Sequence, residues 1–230
     1  MRKDLIYNNQ ETLWGSKEVI GFGSLDWHVK EIGRDLANEI IKKNHYSKKY
    51  YNATYIHLGV FIDSQLLGVL QYGYAMNPAS CNSVVKNTKI NEYLELNRMW
   101  LDDKAERNSE SKAISYSLRY IRSKFPKIKW IQSFADERCG CFGIVYQAAS
   151  FEYYGEHISK FWTLNGEVYH NSLMTRNPKL SKSAKYLQEH KEEATSEELR
   201  QFRYIKFIDK RWKKYCLLQE QPYLKHYKGD

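Results

Sequence analysis

YLELNRMWLDDKAERNSESKAISYSLRYIRSKFPKIKWIQSFAD, residues 93 to 136, is the stretch on which the fold turns. Its first nine residues set Leu94, Leu96 and Met99 among Glu95, Asn97 and Arg98, the pattern of a strand that carries polar cargo. Residues 111 to 125 then place Ile114, Leu118, Ile121 and Phe125 about one helical turn apart, and Pro126 ends that helix because a proline cannot continue the hydrogen-bond ladder. KWIQSFAD is a second strand, apolar until it stops at Asp136. Strand, helix, strand is therefore the centre from which the rest is read.

Upstream, YIHLGVFI (55–62) and LLGVLQYGY (66–74) are apolar runs separated by the turn-like DSQ, which predicts an antiparallel hairpin. Before them, KEIGRDLANEIIKK (30–43) puts Ile32, Leu36, Ile40 and Ile41 on one face, a docked surface helix, and NHYSKKYYN reads as the loop that follows. Residues 77–92 make a long polar connection. Downstream, CFGIVYQAAS predicts a short helix, FEYYG a turn or strand, and KFWTLNGEVYH a hairpin around Asn165-Gly166. From Arg176 the composition shifts, and six of the nine net positive charges lie between there and Asp230. Thr195-Ser196-Glu197-Glu198 fits a capping box ahead of a stripe of Leu199, Phe202 and Phe207. Residues 176–230 thus read as a basic helical extension packed on a domain of residues 1–175, either a solvated face or a partner surface.

A chain of 230 residues, 42% hydrophobic, has the material for one main core. Its net charge of +9 favours a polyanionic partner, nucleic acid ahead of an anionic membrane. The 19 Tyr and 6 Trp suit either stacking on bases or the core. No run of roughly 18 apolar residues supports a signal peptide or membrane span, and Cys81, Cys139, Cys141 and Cys216 form no CxxC pair. The expectation is a soluble intracellular protein with reduced thiols.

Several residues carry chemistry by type and place. Asp136 ends a buried strand, where burial raises a carboxyl pKa unless Arg138 or backbone amides stabilise the charge; it reads as a general base or as a helix cap. His45, Tyr46 and Ser47 gather an imidazole, a phenol and a hydroxyl in one loop, and His45 alternatively caps the preceding helix. Glu95, Asn97 and Arg98 either pair locally or face a cleft. Ser109 and Ser111 read as helix caps or as part of an anion site at the helix end. Cys139 and Cys141 are packing residues, or metal ligands with His45 and Asp136 for an ion such as iron or zinc.

The order helix, hairpin, strand, helix, strand, short helix, hairpin resembles a Gcn5-related N-acetyltransferase (GNAT) domain. More specifically, NHYSKK, LLGVLQYGYAMNP, YLELNRMWLDD, RNSES and SFADERCGCFGIVYQAASFEYYG together resemble the phage Mom proteins, a branch of that superfamily, over residues 30–175. The resemblance implies an α/β fold: a central, mixed but mostly antiparallel sheet with splayed strands, flanked by helices. It implies a transferase that adds a methylcarbamoyl group to N6 of adenine in double-stranded DNA, with an ordinary GNAT acyltransferase acting on a small-molecule or protein amine as the alternative. By resemblance Asp136, His45, Tyr46, Ser47 and Tyr146 are the catalytic set, Tyr146 as general acid, and Tyr46, Trp100 or Trp162 flanks an extruded base. Arg98, Arg107, Asn108, Ser109 and Ser111 fall where an acyl-coenzyme A-like donor is held. Two departures stand out: Glu106-Arg107-Asn108-Ser109-Glu110-Ser111 lacks the glycines of the acetyl-coenzyme A loop, and Gly140-Cys141 replaces a Gly-His pair.

Overall fold

In a computed structural model, which describes residues 3–11, 17–140 and 142–224, the chain builds one sheet. Its strands are β1 (Asp4–Glu11), β2 (Lys17–Gly23), β3 (Trp27–Glu31), β4 (Thr54–Ile62), β5 (Gln65–Gly73), β6 (Tyr93–Leu101), β7 (Trp130–Asp136), β8 (Glu152–Leu164), β9 (Glu167–His170) and β10 (Thr195–Phe207). The helices are α1 (Arg34–Asn44), α2 (Cys81–Val84), α3 (Ser109–Lys124), α4 (Ile144–Ala148), α5 (Ser172–Thr175) and α6 (Lys182–Glu189). The strand order is β1-β2-β3-β4-β5-β6-β7-β10-β8-β9. Every neighbouring pair is antiparallel except β6 and β7, which α3 joins as a parallel crossover.

The mixed sheet with splayed strands matches the expected class. β6 and β7 pair only through Tyr93–Glu95 against Trp130–Gln132. Beyond that point β6 stays with β5 while β7 follows β10, as far as Gln201 opposite Asp136. A bulge at Asn97, between the pairs Tyr72↔Leu96 and Gln71↔Arg98, inserts one residue into β6. It lets Leu96 and Met99 pack on the α3 side, while Asn97 and Arg98 both line the opposite side.

Alternation decides what each face buries. Leu94, Leu96, Ile131, Ala135, Phe202 and Tyr204 pack with Ile114, Leu118 and Ile121 of α3 in the main core. Truncating a ring as deeply buried as Phe202 costs about 3–5 kcal/mol. On the other face, Tyr93, Trp130, Ile205 and Phe207 form a second cluster and Ala37, Ile41 and Val69 a third under α1, with the open mouth of the splay between them. The hairpin β4–β5 turns at Asp63-Ser64, both at positive φ, and β8–β9 turns at Asn165-Gly166 in the same left-handed region.

Three expectations are corrected. Residues 195–207, expected as a capped helix, form β10, which inserts between β7 and β8. The reason is that QFRYIKF also alternates, with Phe202 and Tyr204 on one face and Arg203, Ile205 and Phe207 on the other, and pairing on both edges outweighs a local cap signal. Residues 176–230 therefore supply an interior strand as well as the helix α6, and share the core of residues 1–175. The first helix starts at Arg34, with Lys30 and Glu31 in β3, and it buries Ala37 and Ile41 while Leu36 is left 44% exposed. The N-terminal arm, for which no element was expected, forms β1 to β3 at one end of the sheet. Among the described residues no helix is long and apolar enough to cross a membrane.

Candidate active site

The mouth of the splay holds a cleft of about 430 Å³, within the usual range of small-molecule sites. Residues far apart in sequence meet there: Tyr46 and Ser47 from the loop after α1, Glu95, Asn97 and Arg98 from β6, Gln132 and Asp136 from β7, and Gln201 and Arg203 from β10. The expected partnership of the His-Tyr-Ser loop with Asp136 is thus present. The Tyr46 hydroxyl donates to Asp136 Oδ2 at 3.4 Å.

Asp136 is buried. It accepts from the Arg138 backbone N–H at 3.0 Å and from Arg138 Nε at 3.0 and 3.1 Å, and Arg138 Nη2 also pairs with Oδ2. Burial works to raise this carboxyl, but the hydrogen bonds and charge of Arg138 outweigh it and hold the group below the usual carboxylate range. Asp136 is therefore an ionised clamp on Arg138, whose guanidinium in turn lies 4.2 Å from the centre of the Phe161 ring.

His45 ends α1 through its backbone, and its side chain is not among those that line the cleft. Its backbone N–H closes α1 onto Ile41 O at 3.0 Å, and its ring bends towards the cleft loop, where Nδ1 accepts from the Ser47 N–H at 3.1 Å with the Ser47 hydroxyl 2.8 Å away. Burial, and then the Arg98 charge, lower its pKa to about 4, so the imidazole is neutral. Tyr46 has an exposed ring, but its hydroxyl is tucked against Asp136; desolvation and that charge push the phenol up. The loop is tied down by Arg98 Nε donating to Lys49 O at 3.1 Å, and by Lys49 Nζ reaching Val168 O at 2.9 Å and Glu167 at 2.7 Å.

Glu95 is the carboxyl that burial does raise, to about 7. Gln132 Nε2 donates to its Oε2 at 2.8 Å and Asn97 Nδ2 to its Oε1 at 3.0 Å; these bonds and the Arg203 and Arg98 charges only partly offset the desolvation. Sequence reading singled out Glu95 and Asn97 as polar strand residues without giving them a role. Gln201 and Arg203 were missed, because they lie on the strand read as a helix; the alternating QFRYIKF was the available signal.

Other expected residues lie elsewhere. Tyr146 packs on the α3 side, its ring centre 5.4 Å from that of Tyr204 and 5.8 Å from that of Phe151. Trp100 packs under α1, and Trp162 donates to Asn171 Oδ1 at 2.8 Å outside the cleft. The cleft's carbocyclic rings are those of Tyr46, Phe134 and Phe161.

Arg107, Asn108 and Ser111 line a separate recess of about 300 Å³ at the start of α3, among Asp102, Asp103, Glu106 and Glu110. Asn108, at φ 70°, is the N-cap there and makes no side-chain cap bond. Neither serine caps the helix: the Ser111 hydroxyl donates back to Asn108 O at 3.0 Å, and Ser109 is buried. Four carboxylates against one guanidinium disfavour a pyrophosphate, so the recess does not fit coenzyme A. For a metal, no three His, Cys, Asp or Glu side chains converge among the described residues, Cys139 is exposed, and Cys141 lies outside the described residues. The described donor set does not fit a metal ion.

Comparison with known proteins bears on this arrangement. Solved structures of similar shape include the ribosomal-protein-S5-alanine acetyltransferase of Vibrio fischeri (11% identity, 84% of this chain and 98% of that one, TM-score 0.49). Another is a ribosomal L7/L12 alpha-N-protein acetyltransferase (12% identity, 80% and 95%, TM-score 0.44). The methylcarbamoylase Mom of Escherichia phage Mu is 47% identical over 211 residues, covering 90% of this chain and 88% of that protein. The model of the Mom protein family matches residues 26–225, a span that includes the loop at His45, both splayed strands and β10. The chain therefore belongs to the Mom protein family and is a transferase.

Proposed function

We propose that this transferase modifies DNA within the bacterial cell, placing a methylcarbamoyl group on N6 of adenine in double-stranded DNA. The observation that carries the proposal is the convergence of Tyr46, Glu95, Arg98 and Asp136 on one cleft, in a chain 47% identical to a methylcarbamoylase. An adenine inside a duplex cannot reach such a cleft, so the base leaves the stack at a cost of a few kcal/mol, with Tyr46 at the mouth to stack on it. A bank of Lys179, Lys182 and Lys185 lines a groove along α6. Gln188 of α6 ties it to the α5 segment through the carbonyls of Leu173 at 2.7 Å and Arg176 at 2.9 Å. These lysines neutralise phosphates, so affinity falls as salt rises.

N6 is a poor nucleophile because its lone pair is delocalised into the purine, and it acidifies as it bonds to the carbonyl carbon. The donor's leaving group departs with the bonding pair, and the proton lost by N6 passes to Glu95, whose pKa near 7 matches that task better than the depressed carboxyl of Asp136. Asp136 and Arg138 hold the Tyr46 hydroxyl and the His45 loop in place. Nucleoside mass spectrometry on DNA from cells expressing the chain tests the reading. A modified adenine is expected, and unmodified adenine alongside soluble, folded protein would overturn it.

A further inference from the structure

The cleft contains more positive charge than its carboxylates answer. Asp136 is spent on Arg138. Arg98 and Arg203 line the same cavity, and neither forms an ion pair among the described residues. Arg98 donates to the Lys49 and Asn97 carbonyls, while Arg203 uses Nη1 on Gln132 Oε1 at 2.9 Å and lies 4.8 Å from the centre of the Phe134 ring. Burial disfavours both cations. Glu95 is the nearby carboxyl that both of them influence, and it is itself engaged by Gln132 and Asn97. Two half-buried guanidiniums that form no ion pair among the described residues, one of them over the Phe134 ring with donors to spare, are suited to take an oxyanion in the fork geometry that fits phosphate or carboxylate.

We propose that Arg203, brought to the cleft floor by β10, forms with Arg98 a binding site for an oxyanion, either the phosphate of the extruded nucleotide or an acidic group of the donor. The site does not depend on the transfer reading; only the ligand's identity rests on it. The site also answers the acidic recess at α3, since an anionic group excluded there finds its counter-charge in the cleft.

Calorimetric titration of the full chain with inorganic phosphate, acetate, deoxyadenosine 5′-monophosphate and deoxyadenosine tests this. Saturable binding of at least one oxyanion is expected, weakened tenfold or more by R203Q and less by R203K. A monophosphate preferred over deoxyadenosine, with the preference lost in R203Q, assigns the site to the nucleotide phosphate; acetate binding with no such preference assigns it to the donor. Wild-type affinity of R203Q for every probe overturns the proposal. Should R203Q fail to fold, the Arg203 Nε–Hε resonance of wild-type protein, assigned by its loss in R203K, must shift with phosphate or acetate, and a resonance unmoved by both overturns it equally. None of these readouts uses activity, so failure of the transfer reading is seen separately in the nucleoside assay.

Discussion

Two recesses mark the two faces of the splay, and they differ in charge and in contents. The cleft gathers Arg98, Arg138 and Arg203 around Asp136 and Glu95, with aromatic walls; the recess at the start of α3 sets Arg107 against Asp102, Asp103, Glu106 and Glu110. Diverging strands and a crossover helix create both. Side-chain choice alone makes one suited to an anionic ligand and the other hostile to it. A scaffold thus fixes where ligands can go, and a few charges decide which of those places is used.

The sharpest way to break the contrast is Glu95→Gln. The amide keeps the shape, and its one oxygen can still accept from either Gln132 or Asn97, but it takes no proton near pH 7, so the transfer rate should fall by about 10²–10⁴. Single-turnover assays on an adenine-containing duplex measure it. Full activity in E95Q would remove Glu95 from the chemistry and return the proton to Asp136.

A smaller effect concerns stability. His45 titrates near 4 in the folded chain against 6.5 when exposed, so between those values the unfolded chain binds a proton that the native one refuses. Stability should therefore be full above pH 6.5 and fall as pH drops through this window, by about 3 kcal/mol from His45. Thermal melts from pH 4 to 7 on wild type and His45→Gln give the difference, and an unchanged slope would show that the ring is already solvated. Asp136→Asn works in a lower window. The depressed carboxyl contributes stability above its unfolded value of 3.8 and loses it as pH falls through the folded value, so wild type and variant should differ by about 2 kcal/mol at pH 7 and converge below pH 3.8. The figure lies under that for a fully buried pair because the Arg138 side chain is a quarter exposed.

How much of this was legible in the sequence follows the range of each signal. The strand, helix, strand centre and both hairpins were readable because period and turn chemistry are local: Ile114, Leu118 and Ile121 are buried as spaced, and Asn165-Gly166 makes its turn. β10 was not, since Thr195-Ser196-Glu197-Glu198 satisfies a helix start locally and only the two flanking strands favour extension. The site divides in the same way. Asp136 and the His45 loop were legible as residue types at element ends. Arg203 was hidden by the misread strand, and the bulge at Asn97, which turns both Asn97 and Arg98 to the cleft, depends on pairing that no nine-residue window contains.

The smallest expected effect tests the acidic recess. Asp103→Asn with Glu110→Gln removes two charges from its wall and should leave transfer within about twofold of wild type, at a cost to α3 of about 0.5 kcal/mol because a first-turn glutamate favours the helix dipole. The same two substitutions separate the two recesses as donor sites. A ligand at a hundred times its Kd stabilises a fold by about 2.7 kcal/mol, enough to raise the melting point by several degrees. In an R203Q background, which removes the oxyanion site of the cleft, millimolar coenzyme A should give no such rise where four carboxylates line the start of α3, and only a small one once Asp103 and Glu110 are also neutralised. A clear rise that R203Q retains would mean that the helix end holds phosphate despite its walls; the donor would then sit on the α3 face, and the oxyanion expected at Arg203 would have to come from DNA.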